Sequence, residues 1–205
     1  MKTIIFDLET SGLNPYHDDI IEIAAKVLGS EEKFTCLLRP KSNECISLTI
    51  TTLTGITNKM LAKKGLPWID AYRQMNAWLF RVKGDSDKLT IVSHNGESFD
   101  FIFLKRIFRD LKELKIKPFP VQKIVFIDTL LLSKKLISGR TSYRQNALCQ
   151  QYDILAEGSH RALNDVIALE QLYVVLTTKL HDVIGKRRKP IEYPQMIHDY
   201  IHFKN

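Results

Sequence analysis

The apolar positions of the first forty residues follow strand spacing. Thr3 to Glu9 is nearly continuous in apolar character through Leu8, the pattern of a strand covered on both faces. Ser11-Gly12-Leu13-Asn14-Pro15 supplies turn chemistry after it. Ile20 to Leu28 and Lys33 to Arg39 read as two further strands, joined by the hairpin-like Gly29-Ser30-Glu31-Glu32. Helical spacing then takes over: Pro67 suits a first turn, and Trp68, Tyr72, Met75 and Leu79 share one face. Leu89 to Ser93 is again strand-like. From about Ser98, Phe101, Leu104, Phe108 and Leu111 make the apolar face of a long helix that carries Lys105, Arg106, Arg109 and Lys112 elsewhere. Pro118 and Pro120 end that region, Ile124 to Ile127 reads as a strand, and a helix follows near Gln145 to Tyr152. Ala162, Val166, Leu169, Tyr173 and Leu176 give the last strong helical period. Beyond it, Gly185 and Pro190 bracket Lys186-Arg187-Arg188-Lys189, and periodicity weakens.

This order predicts an α/β domain: a mixed sheet of three antiparallel strands, then alternating helix and strand, flanked by helices. A chain of 205 residues is long enough for one sizeable core and short for two. No stretch approaches the roughly 20 apolar residues of a membrane span, so no membrane partner is expected. Asp7 interrupts the N-terminal apolar run too early for a secretion signal. Cys36, Cys45 and Cys149 show neither zinc nor disulfide spacing. Together these features predict an intracellular protein, cytoplasmic or nuclear. Thirty Lys and Arg against 23 Asp and Glu give a formal charge of +7, which suits a polyanionic partner without identifying it.

Candidate chemistry lies in the acids. Asp7 and Glu9 are two apart on a strand, so both side chains leave one face at its C-terminal end. Two carboxylates aimed together repel unless a cation neutralises them. Asp100 falls in the first turn of the long helix, after the loop His94-Asn95-Gly96-Glu97, on the same sheet edge if the two strands are neighbours. There it also suits the helix dipole alone. Asp165 borders the buried stripe of the last long helix, with His160 five positions before it. Four such carboxylates can hold two divalent ions about 3.5–4 Å apart, as phosphoryl displacement requires. Hard oxygen donors favour Mg²⁺ or Mn²⁺. One His without a Cys cluster makes zinc a poor fit.

These residues resemble the DEDDh family of 3′→5′ exonucleases, which includes DnaQ-like proofreading subunits, TREX enzymes and RNase T. The first motif corresponds to Phe6-Asp7-Leu8-Glu9-Thr10-Ser11-Gly12-Leu13. The second corresponds to Ser93-His94-Asn95-Gly96 with Phe99-Asp100-Phe101, and the third to His160-Arg161-Ala162-Leu163-Asn164-Asp165-Val166. Lesser similarities are Leu53-Thr54-Gly55-Ile56-Thr57, Asp128-Thr129-Leu130, and Leu148-Cys149 with Tyr152. The resemblance implies an RNase H-like fold over residues 1–182, followed by a basic C-terminal tail, 183–205. It implies that Asp7, Glu9, Asp100 and Asp165 hold two Mg²⁺ or Mn²⁺ ions. His160 would be the general base that takes a proton from the attacking water. Thr10, Leu13, Leu53, Thr54, Asn95 and Phe99 would meet the substrate, with Leu13 wedged beside the terminal base.

The expected activity is removal of nucleotides from a 3′ end as nucleoside 5′-monophosphates. The expected partner is nucleic acid, single-stranded DNA before RNA, and a homodimer is an allowed assembly. Two other readings share these residues. One is an RNase T-like or oligoribonuclease-like RNA trimmer, and the other is a nucleic-acid-binding or polymerase-associated module that kept the fold without catalysis. The run Lys186 to Lys189 fits phosphate contact, a nuclear import signal or a solvated tail equally well.

Overall fold

In the computed structural model, residues 1–155, 161–184 and 193–202 are described. His160 and the run Lys186 to Lys189 therefore lie outside the described residues. Five strands, β1 (Lys2–Thr10), β2 (Ile20–Val27), β3 (Lys33–Leu37), β4 (Leu89–Ser93) and β5 (Ile124–Asp128), form one sheet. Its order is β3-β2-β1-β4-β5. The first three strands pair antiparallel, and β4 and β5 add in parallel to β1. This is the mixed sheet the element order predicts and the RNase H-like fold the resemblance implies, and it makes β1 and β4 neighbours.

The alternation along β1 divides the molecule into two layers. Ile4, Phe6 and Leu8 join Tyr72, Met75 and Leu79 of α3 (Trp68–Lys83) and Phe101, Leu104 and Phe108 of α4 (Asp100–Glu113) in one core cluster. Ile5 points the other way, into a cluster built on Val166, Leu169, Tyr173 and Leu176 of α7 (Ala162–Ile184). Asp7 and Glu9 continue the Ile5 row. Aliphatic side chains buried at those two positions would contribute roughly 1.5–3 kcal/mol each, so the acids forgo stabilisation that their neighbours supply. Strand pairing also shifts register between Glu9 and Thr10, where a bulge releases the chain from the sheet. Bulges of this kind turn a strand away and re-aim its side chains.

Two short helices, α1 (Leu48–Thr54) and α2 (Asn58–Lys64), were not anticipated. Each spans seven residues, too few for a periodic stripe, and each is specified by its ends. Ser47 and Thr57 cap their N-termini by accepting N–H groups from Ile50 and Met60. Gly55 closes α1 at φ 68°, a left-handed conformation that favours glycine. Helices α5 (Thr129–Leu136) and α6 (Gln145–Gln151) follow β5.

The weak periodicity after residue 183 conceals a helix, α8 (Tyr193–His202). Ile197 and Ile201 bury against the α7 cluster, and α8 packs on β5 and α5. Three buried residues, Met196, Ile197 and Ile201, carry the contact, a stripe too sparse to stand out in sequence. Among the described residues, no helix is long and apolar enough to cross a membrane.

Candidate active site

Carboxylate oxygens of Asp7, Glu9 and Asp165 all lie within 4.8 Å of one another. Each comes from a different constraint. Strand alternation aims Asp7 and Glu9 toward α7, and Asp165 sits on the first turn of α7, three residues after the buried Ala162. Asp100 enters from the adjacent strand end, where β4 runs parallel to β1 and hands over to α4. All four acids line one cleft of about 640 Å³. Asp100 is 3% exposed, and its Oδ1 has no hydrogen-bond partner among the described residues. A buried unpaired carboxylate oxygen costs free energy unless something outside the protein satisfies it.

Electrostatics point the same way. Burial, then the charges of Asp100, Asp165, Glu9 and Glu22, hold the Asp7 carboxyl well above the ordinary carboxylate range. Burial, Asp165, Glu22 and Asp100 push Glu9 up to about 8, partly offset by Arg161. Burial likewise pushes Asp100 up to about 8, against hydrogen bonding from its own backbone and that of Leu8. A cluster that cannot ionise cheaply on its own suits a site completed by cations. An all-oxygen donor set fits Mg²⁺ or Mn²⁺.

The loop leading to Asp100 is held from beneath. Asn95 adopts φ 63°, and a Cβ on Gly96 would meet the Phe101 ring at 2.6 Å, so both the turn and the glycine are required. Asp128, at the end of β5, accepts backbone N–H groups of Asn95 at 3.0 Å and Glu97 at 3.1 Å while capping α5 through Leu130. His94 is fixed on both ring nitrogens. Nε2 lies 2.9 Å from the Tyr143 carbonyl, which can only accept, so Nε2 carries a proton, and Nδ1 lies 2.9 Å from the Thr129 hydroxyl. Burial lowers its pKa. Both ring nitrogens of His94 are thus engaged, which leaves no free nitrogen to move a proton.

The expected substrate residues divide. Leu13, Asn95 and Phe99 line the cleft with the acids, and Leu13 is 82% exposed on a loop closed by Ser11–Asp19 hydrogen bonds in both directions. Arg106 of α4 donates to the carbonyls of Pro15 and Asp18 on that loop. Thr10 is buried, and its hydroxyl donates to the Gly12 carbonyl within its own turn. Leu53 and Thr54 are not among the cleft residues. Thr54 donates to the Ile50 carbonyl and accepts from the Ile56 N–H. Hydrogen bonds at the two helix ends engage Thr54, Gly55 and Thr57, and Leu53 is 48% exposed. Phe101 and Phe108 are core, as expected.

Sequence reasoning missed one wall and one support. The wall is α6 with its N-cap, where Arg144, Gln145, Asn146 and Gln150 line the cleft with the carboxylates. Gln145 also donates to the Asp165 carbonyl at 3.0 Å. A polar run opening a helix was the available signal, and it resembles any solvated helix start. The support is Glu22 of β2, paired in register with Glu9 and 6% exposed. It accepts from Arg161 Nη2 at 2.7 Å, Arg161 Nε at 3.2 Å and the Ala162 N–H at 3.1 Å.

Comparison with known proteins agrees with this geometry. The family described as "RNase_T: Exonuclease" matches residues 4–173. The chain is similar to DNA polymerase III PolC-type of Bacillus subtilis, 37% identical over 172 residues, 82% of this chain and 11% of the polymerase. It is 35% identical over 200 residues to the PolC-type polymerase of Bacillus cereus, 96% of this chain and 12% of that one. The chain thus spans only about an eighth or less of these relatives' length. Among solved structures, E. coli Exonuclease I in complex with a dT13 oligonucleotide shares the fold at a TM-score of 0.71 and 21% identity, over 95% of this chain and 45% of that one. Cell-death related nuclease 4 (CRN-4) does so at 0.63 and 16% identity, over 90% of this chain and 64% of that one. With the family matched across most of the chain and its motifs meeting in one cleft, the protein belongs to the RNase T exonuclease family, the DEDDh group.

Proposed function

We propose that this chain is a metal-dependent 3′→5′ exonuclease that hydrolyses terminal phosphodiester bonds of DNA and releases nucleoside 5′-monophosphates. The observation that carries the reading is the Asp7, Glu9 and Asp165 oxygens gathered within 4.8 Å in a cleft shared with Asp100, whose Oδ1 has no hydrogen-bond partner among the described residues. In this reading Asp7, Glu9, Asp100 and Asp165 hold two Mg²⁺ or Mn²⁺ ions. When bound, such ions supply charge neutralisation and Lewis-acid polarisation at the phosphodiester.

The chain's own residues do the rest. Hydrolysis adds water across the P–O3′ bond, and His160 takes the water's proton. Imidazole in its neutral form offers the lone pair that a general base needs. The engagement of both His94 ring nitrogens supports giving that role to His160. Leu13 and Phe99 offer apolar contact to the terminal nucleotide, and Asn95 a polar one. Arg144, Gln145 and Asn146 present donors suited to phosphate oxygens in the cleft they line with the acids. DNA is preferred because the relatives named above are DNA polymerases and one structural neighbour was solved with a DNA oligonucleotide.

DNA and RNA oligonucleotides labelled at either end, incubated with Mg²⁺, Mn²⁺ or EDTA, test this. The expected result is metal-dependent shortening from the 3′ end, faster on single-stranded DNA. Shortening from the 5′ end or cleavage in EDTA would refute it. Faster loss of RNA would reassign the substrate to RNA trimming. Absence of hydrolysis with either metal would favour the non-catalytic binding module.

A further inference from the structure

Helix α7 is tied to β2 at two places, and the ties have opposite polarity. Glu22 on the strand holds Arg161, the residue just before the helix. Further along both elements, Lys26 on the strand holds Glu170 on the helix at 2.5 Å, and Glu170 also accepts the Gly29 N–H at 2.8 Å. From Glu22 to Lys26 a strand advances about 13 Å, and from Arg161 to Glu170 a helix rises about 13.5 Å. The spacings match, so both pairs close in one axial position of α7. A slide by one helical turn, about 5.4 Å, would break both.

Asp165 lies between the two ties. The near tie grips the helix where the site needs it: Glu22 takes the Arg161 side chain and the Ala162 N–H, while the Arg161 carbonyl accepts the Asp165 N–H at 3.1 Å. His160 is the residue immediately before Arg161. Glu22 is also a fifth acid facing the cluster, and its charge raises the proton affinity of Asp7 and Glu9. Packing alone gives no reason to keep a buried carboxylate there. An apolar residue in the row of Ala24 would avoid the repulsion.

We infer that Glu22 and Arg161 are positioning residues that set the axial register of α7, and with it the placement of Asp165 against Asp7 and Glu9. Glu22 is not among the residues that line the cleft. The inference rests on the proposed metal-dependent nuclease, and its test is built so that the two can fail separately.

The test compares wild type with Glu22→Gln, Glu22→Asp and Lys26→Gln. Two readouts are used: the rise in Tm on adding Mn²⁺ alone, and kcat and KM on a single-stranded DNA oligonucleotide. Glu22→Gln keeps the shape and the Ala162 contact but loses the ion pair. It should raise the Mn²⁺ concentration for half-maximal stabilisation about tenfold and lower kcat about tenfold or more, with KM within twofold. Glu22→Asp keeps the charge at shorter reach and should fall between Gln and wild type. Lys26→Gln, at the far tie, should cost less than Glu22→Gln on both readouts.

An unchanged Mn²⁺ midpoint in Glu22→Gln overturns the inference. So does a loss of kcat that tracks loss of folded protein, or a larger effect at Lys26. Should Glu22→Gln fail to fold, Glu22→Asp and Lys26→Gln carry the same comparison. If wild type binds Mn²⁺ but hydrolyses nothing, the nuclease reading falls, and the Mn²⁺ midpoints still decide the register inference.

Discussion

Replacing Glu9 with Gln should stabilise the metal-free protein while removing its activity, and the gain should depend on pH. Glu9 is pushed from an ordinary 4.5 up to about 8, so between those values the folded state keeps a proton that the unfolded chain has released. Stability of the metal-free protein therefore falls as pH rises from about 4.5 to about 8. At pH 7 this spans about 2.5 pH units at about 1.4 kcal/mol each, roughly 3 kcal/mol. Water at the cleft mouth and shared repulsion with Asp7 and Asp165 reduce it to about 1–3 kcal/mol. Gln is the neutral isostere of the protonated acid and escapes that cost. In EDTA at pH 7, Glu9→Gln should raise Tm by roughly 3–10 °C for a domain of this size. At pH 5 the shift should shrink to about 2 °C or less, because both carboxyl states converge there. Thermal unfolding of both proteins at the two pH values is the assay. A lower Tm at pH 7, or an equal gain at pH 5, would show that repulsion does not govern this site.

Three further outcomes are expected. Asp165→Ala and His160→Ala should each lose most turnover with the circular dichroism spectrum intact, and near-wild-type activity in either would remove that residue from the mechanism. Chelation should abolish hydrolysis and Mn²⁺ should restore it, and at limiting metal the rate should climb between about pH 6 and 8. Both Glu9 and Asp100, pushed up to about 8, must shed protons to take a cation, so a flat profile would contradict the cluster's electrostatics. Arg106→Met should raise KM for oligonucleotides several-fold with kcat nearly constant, since it frees the Pro15 and Asp18 carbonyls and loosens the loop bearing Leu13. Unchanged KM would mean that this loop does not grip substrate.

The site's skeleton was legible because it rests on periodicity. Two acids on alternate strand positions must share a face, and an acid three residues after a buried alanine must border the helix's buried side. Neither inference depends on distant parts of the chain. Glu22 was illegible for the opposite reason: in Ile20-Ile21-Glu22-Ile23 it reads as a routine polar break, and its meaning comes from Arg161 at the far end of the chain. The α6 wall was hidden likewise, since a polar helix start faces solvent unless tertiary structure sets carboxylates in the same cleft. Around Leu53 and Thr54 the segment Thr-Gly-x-Thr also carries local chemistry, a helix stop followed by a helix start. The sparse stripe of α8 becomes visible only once β5 and α5 are there to receive it.

The cleft draws its four acids from β1, α4 and α7, far apart in sequence. Asp7 is made before Asp165, with the sheet's remaining strands and most of the helices in between. No fragment ending before α7 can hold the complete set, so an interrupted chain could not cut nucleic acid by this chemistry. Hydrolysis by this protein would thus report completed folding more stringently than secondary structure does. The same long-range closure predicts slow assembly for a domain of this length, with the strands and α3 and α4 able to collapse before the site exists.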